Sequence, residues 1–141
     1  VKRPQRILEV FKTLSDEAAR EVAELRDARQ HTLHEQVEVL RSIETGWDIA
    51  RRDRSLARSA ARYGIKAQGD AENLRRKAEQ IARHQAEAQD RLLDRFADQK
   101  RFELYLSQRQ LKERAVARKR EEGALLEQID QLAQAKERKD R

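Results

Sequence analysis

SAARYGIKAQGD, running from Ser59 to Asp70, is the only stretch of this chain in which helical character is interrupted twice within one helical turn or two. Gly64 and Gly69 bracket Ile65, Lys66, Ala67 and Gln68. Glycine costs a helix interior about 1 kcal/mol relative to alanine and accepts the left-handed conformation that ends helices. Asp70, followed by Ala71, Glu72 and Asn73, has the form of an N-cap with acid in the first turn, where the helix dipole is positive. The stretch therefore predicts a chain reversal at about 63–69, between a first helix of about 5–62 and a second of about 70–138.

Working outward from it, both flanks read as long amphipathic helices. Pro4 suits a first turn, where its missing N–H is not needed. From there Ile7, Phe11, Leu14, Ala18, Val22, Leu25, Leu33, Val37, Leu40 and Trp47 recur at threes and fours, the spacing that keeps side chains on one helical face. The period drifts near Arg29, which predicts a less regular seam there. Downstream, Leu74, Ala78, Ile81, Gln85, Ala88, Leu92, Phe96, Gln99, Phe102 and Leu106 form a second run. The register then shifts, and Leu111, Ala115, Arg118, Glu122, Leu125, Ile129 and Leu132 alternate strictly by fours and threes. Only Gly123 interrupts this half, and such length without internal caps is the pattern of coiled coils. The fold class expected is all-α, a single antiparallel coiled-coil hairpin over residues 1–141, with arms of roughly 80 to 105 Å at about 1.5 Å per residue. The second arm is the longer, so its last turn or two is expected to project alone.

Composition agrees with a narrow seam rather than a thick core. Of 141 residues 41% are charged and 38% hydrophobic, whereas globular domains average about 25% and 45–50%. Disorder is disfavoured by a single Pro, four Gly and near-balanced signs, 32 basic against 26 acidic residues. With no Cys, neither a disulfide nor a thiolate metal site can form. No apolar run approaches the roughly 18 residues that cross a bilayer, and no signal-peptide core is visible, so a cytoplasmic location is expected. The absence of Met at position 1 predicts that the initiating residue was removed or replaced.

Charge is concentrated. Arg51, Arg52, Arg54, Arg58, Arg62 and Lys66 stand against Asp53 alone, which accounts for five of the six net positive charges. A basic tip admits three readings: a solvated helix end that complements the dipole, a protein-docking surface, or a nucleic-acid contact. The last would want aromatic stacking platforms, and only Tyr63 is near.

No catalytic signature is present: no phosphate-binding GxxxxGK[ST], no GxSxG elbow, no HExxH pair. His31 and His34 share a face with Glu35 and Glu38, but a metal needs more convergent ligands and a closed geometry. The expectation is a non-enzyme without cofactor, metal or direct nucleotide. Apolar residues that a two-stranded seam leaves over, among them Val10, Val39, Ile43, Ile49, Leu93, Leu104, Tyr105 and Leu126, mark the ends as docking surfaces. Ile7, Leu8, Phe11, Leu125, Leu126, Ile129 and Leu132 are expected at the open end, and Leu40, Ile43, Trp47, Leu74 and Ile81 toward the tip.

The opening RILEVFKTLSDEAAREVAEL (Arg6 to Leu25) resembles the start of the flagellar type III export protein FliJ family, in which a leucine-rich stretch precedes an acidic pair, two alanines and an arginine, here Asp16, Glu17, Ala18, Ala19 and Arg20. The closing LLEQIDQLAQAKERK (Leu125 to Lys139) is similar to the same family's C-terminal segment, and the YscO-like proteins of virulence secretion systems are close structural cousins. The resemblance implies a stalk and chaperone component of a protein export apparatus, at the cytoplasmic face of the membrane, serving export chaperones. It implies that the open end inserts into a hexameric export ATPase through Ile7, Phe11, Leu125, Ile129 and Leu132. It further implies a tip region that meets the membrane export gate through Leu40, Ile43, Trp47, Leu74 and Ile81, although Trp47 stands where the family has a tyrosine-rich face. The alternatives are a structural or oligomerisation coiled coil and a basic nucleic-acid-binding hairpin.

Overall fold

The computed structural model describes residues 2–140. Helix α1 spans Arg3–Arg52, a single 3-10 turn covers Arg54–Leu56, and helix α2 spans Ala57–Asp140. The two long helices pack against each other as an antiparallel hairpin, the all-α fold that the periodicity predicts. Pro4 lies in the first turn of α1, and Arg51 and Arg52 close its last turn against the negative end of the dipole.

The reversal is not where the glycines suggest. It falls at Asp53, whose extended backbone (φ −136°, ψ 102°) breaks the helix, and whose carboxylate then caps the next turn. The Ser55 amide donates to Asp53 Oδ1 at 3.0 Å and the Ser55 hydroxyl donates to the same oxygen at 2.6 Å. Gly64 and Gly69 are helical, with no positive φ among the described residues. Gly64 is buried because it faces the other arm: a Cβ there would lie 3.8 Å from Ile43 Cγ2 and 3.8 Å from Trp47 Nε1. A side chain of one methyl group would therefore fit there in ordinary contact, and the glycine makes no turn.

Small residues form the centre of the seam. Ser15, Ala18, Thr32 and Ala50 of α1 are buried, as are Gly64, Ala67, Ala71, Ala78 and Ala88 of α2, and among the described residues no large side chain is fully buried. On α1 the inward positions 11, 15, 18, 22, 25, 32, 36, 39, 43, 46 and 50 keep one heptad register throughout, with only the exposed Arg29 interrupting the row of buried and half-buried residues. The drift expected near Arg29 therefore does not occur. Thr32, Gln36 and Val39 continue the seam, while Leu33, Val37, Leu40 and Trp47 stand beside it, 38 to 45% exposed. On α2 the expected run from Leu74 to Leu106 is the observed one, apart from Phe96, which turns outward.

Cross-helix contacts fix the register. The Tyr63 hydroxyl donates to Ser42 Oγ at 2.7 Å, Arg91 pairs with Glu21 at 2.6 Å, and the rings of Phe11 and Phe102 lie 5.3 Å apart. Numbers fall along one arm as they rise along the other, so the arms run antiparallel without a slip. Arg3, Pro4 and Ile7 line a shallow groove with Phe102, Tyr105 and Arg109, which places the start of α1 beside that stretch of α2.

Everything on α2 beyond that point is single. Residues 107–140 are all exposed. Counting from Leu111, the overhang is about 45 Å of unpaired helix at 1.5 Å per residue. The expected projection of a turn or two is thus far exceeded. Moving the reversal upstream shortens one arm and lengthens the other by the same amount, so the mismatch of the ends grows by twice the shift.

Candidate interaction surfaces

Three surfaces follow from this arrangement. The basic cluster straddles the reversal. Arg51 and Arg52 end α1, Arg54 lies in the 3-10 turn, and Arg58, Arg62 and Lys66 follow at intervals of four, which carries them up one edge of α2. All six are exposed, and Arg51 Nη1 is 3.3 Å from Asp48 Oδ1. The Asp53 carboxyl within the cluster is held below the ordinary aspartate range, first by the Ser55 hydroxyl and then by the Ser55 amide. The tip is therefore a cationic cap on a rod, with its one acid committed to the turn.

The second surface is the apolar strip beside the seam. Leu40 and Trp47 are 45 and 42% exposed, and Ile43, half-buried, lines the same arm where it meets Gly64. These three lie together near the tip. Leu74, half-buried in the seam 17 residues tipward of Arg91 and hence level with residue 38, lies beside Leu40 as expected, whereas Ile81 does not join them. Ile81 is ten residues tipward of Arg91, hence level with residue 31 of α1, about 24 Å along the rod from Trp47. The strip that accompanies Leu40 and Trp47 continues through Val37 and Leu33, whose spacing alone predicts a place in the seam.

The third surface is the overhang. Leu125, Ile129 and Leu132 are 58, 59 and 71% exposed, and Leu111, Val116 and Leu126 are at least half exposed. The expected convergence of these residues with Ile7 and Phe11 is absent. Phe11 stacks on Phe102, itself stacked on Tyr105 with ring centroids 5.9 Å apart, so the aromatic lock at the start of α1 sits about 35 Å short of Leu125. The cause is again the position of the turn.

The ion pairs of the described residues, with one exception, join neighbours on the same helix. His31 Nε2 lies 2.7 Å from Glu35, and His34 Nε2 lies 3.9 Å from Glu38. No group of three or more potential metal ligands converges among the described residues. Glu72 is held below the usual glutamate range chiefly by Arg75, which also reaches Glu79, and Glu103 by Gln99 and then Lys100. The Arg91–Glu21 pair crosses between helices but is about half exposed, so it contributes at most a few tenths of a kcal/mol. What these surfaces offer chemically is recognition: a cationic end, an apolar flank and an amphipathic single helix. No helix of the described residues is long and apolar enough to cross a membrane. Comparison with known proteins finds no matching family model, no similar curated protein and no matching solved structure.

Proposed function

We propose that this chain is a non-enzymatic stalk of a type III protein export apparatus, coupling a hexameric export ATPase to the membrane export gate and serving export chaperones. The observation that carries the reading is a stiff hairpin about 75 Å long that continues into one bare amphipathic helix. A ring of six subunits has a narrow axial opening, and a single helix with an apolar edge is the slimmest element that can enter it and still make contact. The resemblance of Arg6–Leu25 and Leu125–Lys139 to the FliJ family supports the same assignment. On this reading Leu125, Ile129 and Leu132 enter the ring, Ile7 and Phe11 form the collar where the second helix begins, and Leu40, Ile43 and Trp47 face the gate near the cationic tip.

The test is a pull-down and activity assay with a hexameric secretion ATPase, comparing the full chain with one truncated after Gly123. Binding and stimulation by the full chain alone would support the stalk. No binding by the full chain, or equal stimulation by both, would overturn it.

A further inference from the structure

The apolar edge of the overhang is not a continuation of the hairpin seam. At 100° per residue, Leu111 lies about 140° around the helix from Leu106 and about 180° from Phe102, the last seam residues covered by α1. A longer α1 would leave this edge bare. Whatever covers it approaches from the far side of α2. The edge reads as a heptad row in its own right: Leu111, Ala115, Arg118, Glu122, Leu125, Ile129 and Leu132. Two of its central positions are charged and of opposite sign, which selects the partner.

We infer that this edge pairs with the same edge of a second copy, antiparallel, about an axis at residue 120. In that register Arg118 meets the second copy's Glu122, and Glu122 meets the second copy's Arg118. The flanking layers place Ala115 against Leu125 and Leu111 against Ile129, each repeated by symmetry. The alternatives leave charges unmatched. A parallel pairing in register stacks arginine on arginine and glutamate on glutamate. Sliding the antiparallel pair by one heptad buries Arg118 against Ile129 or Ala115, and Glu122 against Leu125 or Leu111. A buried charge without its counterpart is strongly disfavoured, so a single register survives. The interface is isologous, the closed form that gives a dimer and not a filament.

Geometry permits it. The C-terminal turns of each copy run back past residue 111 of the other, where α1 begins, but on the opposite side of α2 from α1. Leu104, 63% exposed and seven residues before Leu111, extends the edge for them. The same register sets Lys119 near its own copy on one flank and Glu121 near its own copy on the other, exposed like-charge contacts that water and salt screen. A second copy would occupy the helix that the export reading sends into the ATPase ring, so the two states exclude each other. The pairing itself rests on the overhang alone and stands or falls independently of that reading.

The experiment is sedimentation equilibrium of the full chain from about 1 to 100 µM, alone and with three variants: Arg118→Glu, Glu122→Arg and the double exchange. The side chains changed touch nothing within the hairpin, and helical circular dichroism checks each fold. The expected result is a concentration-dependent dimer, weakened on the order of tenfold or more by either single reversal, since each creates two like-charge core contacts. The double exchange restores it. So does mixing the two single variants, because Arg118→Glu of one copy then faces Glu122→Arg of the other at one central layer, while the unchanged Glu122 and Arg118 face each other at the second. A chain that stays monomeric throughout would overturn the inference, as would a dimer indifferent to both reversals or one that the double exchange fails to restore.

Discussion

Replacing Gly64 by alanine places one methyl group on the buried face of α2 opposite Ile43 and Trp47, and the structure fixes the sign of the result. The residue is helical with negative φ, so alanine is conformationally preferred there by about 1 kcal/mol. The new Cβ would meet Ile43 Cγ2 and Trp47 Nε1 at 3.8 Å each, ordinary contact without displacement, and its burial adds up to about 0.8 kcal/mol. Gly64→Ala is thus expected to stabilise by about 1 to 2 kcal/mol. Gly69→Ala, with nothing within 4 Å of its Cβ, gains only the propensity term of about 1 kcal/mol. The pair shares no partner and should be roughly additive. Thermal unfolding followed by circular dichroism should show the midpoint rising by roughly 3 °C per kcal/mol for a chain of this size. If these glycines instead ended and began helices in the left-handed conformation, a side chain would cost about 1 to 2 kcal/mol at such a position. A loss of stability in either variant would refute the reasoning.

Other consequences are open to the same methods. Ser15 is buried with no partner for its hydroxyl, so Ser15→Ala should raise stability by about 1 kcal/mol in urea titration. Ala88 is fully buried between the arms, and Ala88→Leu should destabilise by about 1 to 3 kcal/mol through overpacking, while Leu93→Ala, at a site 66% exposed, should change stability by less than about 0.5 kcal/mol. Because the cap holds the Asp53 carboxyl below its ordinary range, its contribution is complete above that range and disappears as pH falls through the lowered value. Protection of the Ser55 amide, taken relative to its intrinsic exchange rate, should therefore fall on acidification below about pH 4, and Asp53→Asn, which keeps an acceptor but cannot titrate, should flatten that response.

The sequence and the structure agree most closely where heptad spacing is carried by residues of any size. The run from Leu74 to Leu106 is legible because its apolar residues, interrupted only by Gln85 and Gln99, keep the spacing of threes and fours. On α1 the larger side chains mislead. Leu33, Val37, Leu40 and Trp47 are the most apolar residues of their region, yet the register set by Ser15, Ala18 and Val22 runs on through Thr32, Gln36 and Val39. An antiparallel pair that packs on alanine leaves no room for large side chains at its centre, so those residues lie on its flank. The reversal was obscured for a similar reason. Glycine lowers helix propensity without always ending a helix, and Gly64 and Gly69 both lie inside α2 with negative φ. The true signal was smaller: Asp53 is the only acid between Arg51 and Lys66, followed two residues later by Ser55, an arrangement that caps a turn. Misplacing the turn then misplaced the open end, which is why Ile7 and Phe11 were expected beside Leu125 and Ile129.

The position of the turn sets the register, the overhang and every surface described above, and paired spin labels measure it directly. Glu17 is one turn from Glu21, and Arg95 one turn from the Arg91 that pairs with it, so labels at Glu17 and Arg95 should lie across the rod from each other. Labels at Glu17 and Arg118 should be separated by a further 23 residues of α2, about 35 Å along the axis. A short first distance and a long second one are expected. The reverse order, which a reversal near Gly64 and Gly69 would produce, would contradict the account.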